Sequence, residues 1–187
     1  MDVRAAVVAA TQDELIENGF DALTVDRVAK RAGVEPSAVS ESWPDADELV
    51  ALVFEELGEH ELVLMNTGSL ETDLRALAAG IAAFHGVPRL RSTFQALVYS
   101  AGRSPRAAES LRRFWGQRLA RASKPVRHAI ENGELPPDTN AVEVIRMLGA
   151  PYYYRLFITH EPLDEHLAER AAAAALAAAR AGVLTSG

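Results

Sequence analysis

The sequence predicts an all-α protein, and three observations carry that prediction. Alanine is abundant, runs of β-branched residues are scarce, and apolar residues recur at three- and four-residue spacing rather than in the alternation of strands. About nine helices are expected in the 187 residues, as a short N-terminal three-helix unit over residues 1–48 and a larger helical domain over residues 49–187.

The first helix, near residues 3–18, presents Val7, Val8, Thr11 and Leu15 on one side and stops at Asn18-Gly19, where glycine supplies a left-handed cap. Thr24 is placed to cap a second, short helix with Val25, Val28, Ala29 and Ala32 at helical spacing, closed by Gly33. Glu35-Pro36-Ser37 opens a third helix, since proline is welcome in a first turn. Val39 and Trp43 give that helix a buried side and Pro44 ends it. Asp45 to Glu48 reads as a capping box for a long fourth helix carrying Leu49, Leu52, Val53, Leu57 and Leu62. Beyond a break at Asn66 to Ser69, helices are predicted near 71–86, 89–101, 105–132, 140–158 and 163–182, separated by glycine- and proline-bearing joints.

Composition excludes several classes. With no cysteine, disulfides, thiolate nucleophiles and cysteine-based metal sites are ruled out. No apolar run approaches the roughly 20 residues of a membrane span, and the start lacks a basic-then-apolar signal, so a soluble, cytoplasmic protein without a membrane partner is expected. The net charge of −7 is unevenly spread. Residues 1–55 hold four basic against twelve acidic side chains, and residues 103–127 hold eight basic ones (Arg103, Arg106, Arg112, Arg113, Arg118, Arg121, Lys124 and Arg127) against Glu109 alone. The basic run is read as a solvated helix face, with an anion-binding surface as the alternative.

The span Thr24 to Trp43, two short helices joined at Gly33, has the layout of a helix-turn-helix, although a plain helical hairpin shares that spacing. The run Leu23-Thr24-Val25-Asp26-Arg27-Val28-Ala29-Lys30-Arg31-Ala32-Gly33-Val34, followed by Pro36-Ser37, Trp43-Pro44 and Leu49, resembles the DNA-binding signature of the TetR family of transcriptional regulators. The stretch from Pro136-Pro137-Asp138 through Tyr152-Tyr153-Tyr154 to His160-Glu161-Pro162 is similar to one C-terminal subfamily of that group. The resemblance implies a regulator, expected to be a repressor, of a palindromic double-stranded operator, released by a small-molecule effector. Thr24 is then a phosphate contact as well as, or instead of, a simple cap. The helix Pro36 to Ser42 becomes the groove reader, with Ser37 and Ser40 touching DNA and Lys30, Pro36, Glu41 and Ser42 as further candidates. Glu41 is expected to face solvent, with acceptance from cytosine N4 as the alternative. The chain departs from the family where an aromatic and a basic or histidine pair usually stand, here Ser40, Glu41 and Ser42, and at Ala46, usually lysine. Each missing cation removes a phosphate contact.

In the larger domain the last two helices are expected to form a dimer interface, Ile145 and Leu156 supplying bulk with Leu167 and Ala171, Ala174 and Ala178 allowing close approach. Gly149-Ala150-Pro151 should kink the first of the two helices. Phe84, Phe94, Leu97 and Val98, with Leu111, Phe114 and Trp115, and then Leu148, Tyr152 and Tyr153, are candidates for an apolar effector pocket, each otherwise plain core. Arg118, His85 or a tyrosine hydroxyl would orient the ligand. No cofactor or metal is expected. An enzyme is the rival class, but its support is the run His160-Glu161 to His166, in which Pro162 breaks the helical spacing a metal-binding pair needs. A second alternative is a sensor or protein-interaction module of the same fold with weak or lost DNA binding.

Overall fold

The structure, a computed structural model, describes residues 2–59 and 67–185; Leu62 and the break at Asn66 lie outside them. Among the described residues there are ten α-helices: α1 (Val3–Asn18), α2 (Val25–Ala32), α3 (Pro36–Ser40), α4 (Ala46–Glu59), α5 (Leu70–Gly86), α6 (Pro88–Ala101), α7 (Pro105–Ala122), α8 (Lys124–Glu131), α9 (Ala141–Tyr154) and α10 (Leu167–Arg180). They fall into two compact units, one of residues 1–60 and 88–116, the other of residues 61–87 and 117–187. Compactness therefore groups α6 and most of α7 with the N-terminal helices, a different partition from the functional division expected at residue 48.

In the first unit the predicted face of α1 is inward: Val7, Val8, Thr11 and Leu15 are buried. Opposite them lie Val28 and Ala29 of α2, Val39 of α3, and Leu49, Val50, Leu52 and Val53 of α4, each of them buried. Burying one such aliphatic side chain contributes about 1.5–3 kcal/mol, so this shared core is what holds three helices too short to persist alone. Thr11 hides its hydroxyl by donating to the Val7 carbonyl oxygen at 2.8 Å. Thr93 of α6 does not: it is fully buried, and its hydroxyl has no hydrogen-bond partner among the described residues.

Glu14 is the unexpected member of this core, a carboxylate only 4% exposed. It accepts from Arg27 Nε and Arg31 Nε, both at 2.8 Å, and from Asn18 Nδ2 at 3.0 Å. Arg31 also forks onto both oxygens of Glu17. Burial pushes the Glu14 carboxyl up from its ordinary 4.5, but the hydrogen bonds and charges of the two guanidinium groups outweigh it and hold the group below that value.

Three boundaries in the second unit differ from expectation. The helix predicted over 105–132 is two helices. Pro125 has no N–H to continue the ladder, and Ser123 turns the chain, its hydroxyl donating to the Leu119 carbonyl oxygen at 2.7 Å and accepting from Arg127 at 2.6 Å. The helix predicted over 140–158 is α-helical only to Tyr154, with Pro151 inside it. It widens into a π turn over Arg155–Thr159 and ends at His160 in the left-handed conformation (φ 53°). The last helix starts four residues later than predicted, at Leu167, because Asp164 is held in the preceding turn by Arg155 and Arg170. Those two guanidinium groups keep the Asp164 carboxyl far below the usual carboxylate range. The core of this unit joins Leu70, Leu74 and Leu77 of α5 to Val144, Leu148 and Tyr152 of α9 and to Ala171, Ala172, Ala175 and Ala179 of α10.

Two stability measurements test this account. Glu14→Gln is expected to lower unfolding stability at pH 7 by about 1–3 kcal/mol, less than for a fully enclosed pair because both arginines can turn to water. Glu14 is a group whose proton affinity falls on folding, so its stabilisation is present above pH 4.5 and fades as the pH falls through its folded value. The gap between the wild-type and variant urea midpoints should close in acid. Thr93→Val, which keeps the shape and removes an unpartnered hydroxyl, is expected to raise stability by about 1 kcal/mol. A lowered melting temperature would mean that the hydroxyl is satisfied in solution.

Candidate nucleic-acid interface

Thr24 sits in extended conformation immediately before α2, and its hydroxyl oxygen accepts from the Arg27 backbone N–H at 3.3 Å, so the predicted cap is formed. The side chain is exposed, which leaves its outer side open to a further partner. Gly33 closes α2 at φ 70°, ψ 34°, with its N–H donating to the Ala29 carbonyl oxygen. An added Cβ there meets nothing within 4 Å, so it is the left-handed backbone rather than space that favours glycine. This turn reverses the chain into α3, which begins on Pro36 as expected and is shorter than predicted. It ends at Ser40, and Glu41 and Ser42 form the turn that follows.

Val39 is the only buried residue of α3. Pro36, Ser37, Ala38, Ser40, Glu41 and Ser42 are all exposed, and Trp43 is half-buried with its N–H on the Val39 carbonyl oxygen at 2.8 Å. One aliphatic peg thus seats the helix, and every other side chain is small, polar or both. At 100° per residue, Ser37 and Glu41 each lie about 160° from Val39, at the centre of the outward face. Ser40 points more to the side, its hydroxyl donating to the Ser37 carbonyl oxygen at 3.3 Å.

The ion pairs explain the acidic N-terminus. Arg4 pairs with Glu56, and Arg27 and Arg31 are engaged by Glu14 and Glu17, so three of the four cations of residues 1–55 hold the fold together. Lys30 is exposed and has no ion pair among the described residues. Many of the acids are matched from α6, the turn after it and the start of α7, within the same unit. Arg89 reaches Asp13, Arg103 lies 3.0 Å from Asp21, and Arg106 bridges Asp45 and Glu48. Ser104 hydrogen-bonds Asp47. Asp26, Glu35 and Glu41 stay exposed around the reading helix. The basic run is accordingly not one patch: Arg103 and Arg106 neutralise the head, Arg112 pairs with Glu109, and Arg127 binds Ser123 and the Ala120 carbonyl oxygen.

The residues expected to line an effector pocket are divided between the units. In the first, Phe94, Phe114 and Trp115 form a ring cluster with Phe54 at centroid separations of 5.5–6.0 Å, Leu97 is fully buried, and Val98 and Leu111 are half-buried. In the second, Leu148 and Tyr152 are fully buried, and the Tyr152 hydroxyl donates to the Ala78 carbonyl oxygen at 2.8 Å. Burial, with the charge of Asp164, pushes that phenol up to about 12. Around them Arg118 lies over the Phe84 ring at 5.8 Å, His85 packs edge-on to Phe84 and Tyr153, and Tyr153 stacks on Phe157. Tyr153 is likewise pushed up to about 12, by burial with Arg118 opposing.

Of the residues expected at a dimer contact, Ile145, Leu156, Leu167 and Ala171 are at most 6% exposed within the single chain and belong to its own core. Ala174 and Ala178 keep accessible surface. Met147 and Tyr154 of α9 and Ile158 of the π turn, which the sequence reading did not single out, are large hydrophobic residues 39%, 58% and 65% exposed. The segment from His160 to His166 is not helical, and no cluster of three metal-ligating side chains exists among the described residues. Among those residues no helix is long and apolar enough to cross a membrane.

Comparison with known proteins agrees with this geometry. Residues 7–53 match the bacterial regulatory proteins of the tetR family, and residues 64–175 match the tetracyclin repressor-like C-terminal domain. The HTH-type transcriptional regulator YdeS of Bacillus subtilis (strain 168) is 29% identical over 161 residues, covering 86% of this chain and 81% of that protein. The HTH-type transcriptional regulator Rv1556 of Mycobacterium tuberculosis (strain ATCC 25618 / H37Rv) is 31% identical over 157 residues, covering 83% and 77%. The crystal structure of the TetR family transcription regulator SCO0332 aligns with a TM-score of 0.69 at 26% identity, over 95% of this chain and 98% of that one. A helix-turn-helix head whose reading helix is seated by one valine, with both parts of the chain matched, leads to one conclusion: the chain belongs to the TetR family of DNA-binding transcriptional regulators.

Proposed function

We propose that the protein is a homodimeric repressor that binds a palindromic operator through paired α3 helices and leaves it when a small, largely apolar effector binds. The observation that carries the reading is the exposed face of α3, small side chains with serine hydroxyls at Ser37 and Ser40, presented by the left-handed turn at Gly33. Thr24 and Lys30 are the proposed phosphate contacts, and Ser37, Ser40, Glu41 and Ser42 the proposed groove side. The aromatic and cationic group Phe84, Arg118 and Tyr153 supports effector binding in the second unit. Dimerisation is supported by the exposed Met147, Tyr154 and Ile158 together with the accessible alanines Ala173, Ala174 and Ala177 of α10, a surface too apolar to be left to water.

One observation favours a second reading, a ligand sensor with weak DNA affinity: Arg4, Arg27 and Arg31 are committed to carboxylates while Asp26, Glu35 and Glu41 are exposed. Salt dependence separates the two. A dimer that presents Lys30 twice should bind a short duplex carrying its operator with a log–log salt slope of about −2, where a repressor rich in phosphate contacts shows about −10. A steep slope would mean that Arg27 and Arg31 leave their carboxylates on binding; no selective binding at low salt would favour the sensor. For the dimer, Ile158→Glu is expected to give a monomer by sedimentation and to abolish operator binding with little change in monomer helicity. A dimer that survives the substitution would refute this surface as the contact.

A further inference from the structure

We infer that Glu41 reads cytosine, so that the operator carries a C·G pair at one fixed position of each half-site and discrimination there depends on a carboxylate. The inference rests on the DNA-reading function proposed above and concerns what that function recognises.

Glu41 is helical in backbone (φ −61°, ψ −35°) and continues the turn of α3, its N–H donating to the Ser37 carbonyl oxygen. It stands four residues from Ser37 and two from Val39. Since Val39 is buried, its position fixes which way the helix faces, and Ser37 and Glu41 occupy the middle of the opposite side. The carboxylate is exposed and makes no hydrogen bond or ion pair among the described residues. The arginines of the head cannot neutralise it in place, because Glu14, Glu17 and Glu56 hold them.

A lone carboxylate at the centre of a groove-facing surface is costly against DNA unless it meets a donor. In the major groove the donors are cytosine N4 and adenine N6; guanine offers acceptors and thymine an acceptor and a methyl group. Adenine sets its amino group beside the N7 acceptor, which repels the second carboxylate oxygen, whereas cytosine shows only its amino group and ring C–H. Cytosine is therefore the base whose edge a glutamate can meet without a like-charged contact on that base. The neighbouring serines tolerate either donors or acceptors, so the sharpest base requirement falls on Glu41.

The test is selection of bound sequences from a pool of random duplexes by the full-length chain, by Glu41→Gln, and by Glu35→Gln as a charge control. Wild type should enrich a palindrome with cytosine at one position of each half, preferred about tenfold over the other bases. Glu41→Gln should lose that preference and gain adenine there, since an amide pairs with adenine N6 and N7, while affinity for DNA in general rises. Glu35→Gln should raise affinity and leave the base preference as in wild type. Because Glu41 is exposed the variant should melt with the wild type, and Glu41→Ala, which should relax the position to no preference, supplies a second reading. A palindrome selected identically by wild type and both Glu41 variants would overturn the inference while leaving DNA recognition intact. Enrichment of no motif by any of the proteins would overturn it together with the proposed DNA-reading function.

Discussion

The reading head depends on one buried carboxylate. Glu14 leaves water for a site where its own desolvation opposes folding, and the structure tolerates it because Arg27 and Arg31, one turn apart on α2, converge on its two oxygens. That spacing sets the rotation of α2 against α1 and places Val28 and Ala29 on the core side, from which Gly33 and α3 follow. A hydrophobic contact alone would allow α2 to slide or roll; two guanidinium hydrogen bonds, one to each oxygen of one carboxylate, do not. The arginines that orient the helix are thereby engaged by carboxylates. Exposed side chains of the helix-turn-helix that remain outside these pairs include the serines of α3, Lys30 of α2 and the outward Glu41.

The same trade appears in the rest of the first unit. Acids that look, by composition, like a barrier to nucleic acid are largely internal partners: Asp13 pairs with Arg89 of α6, Asp21 with Arg103 of the turn after it, and Asp45 and Glu48 with Arg106 at the start of α7. Exposed pairs of this kind contribute little each to stability, and they stand at the start of α6 and at its corner with α7. Residues 88–116 accordingly belong to the N-terminal unit although the chain reaches them only after α5. Net charge was therefore a poor guide to which acids stand unpaired at the surface.

In the second unit, small residues do the positioning. Gly149 lies against the Tyr153 ring, where a Cβ would come within 3.1 Å of Cε2, so α9 and its own following turn can hold the aromatic ring flat beside Phe157. Two residues further, Pro151 removes a backbone donor, and the ladder shifts into the π turn that ends at His160. Asp164, gripped by Arg155 and Arg170, then closes the loop back to α10. Among the alanines of α10, Ala171, Ala172, Ala175 and Ala179 belong to the core with residues of α5 and α9, while Ala173, Ala174 and Ala177 are exposed.

The sequence by itself determined the all-α class, nearly every helix start, the caps at Thr24 and Asp45, the turn at Gly33 and the helix-turn-helix, because these rest on local chemistry that acts over a few residues: periodicity, capping hydroxyls and carboxylates, proline and glycine. It also announced the family through the run from Leu23 to Val34. Tertiary structure decided the rest. Spacing could not say that Glu14, three residues after the core-facing Thr11, would be buried with two arginines, because a charged residue at a core position reads as polar until its partners are known. Nor could it separate Ile145, Leu156 and Ala171, which the chain buries against itself, from Met147, Tyr154 and Ile158, which it leaves outside. Both sets are apolar, and only the packing of neighbouring helices shows which has found a partner.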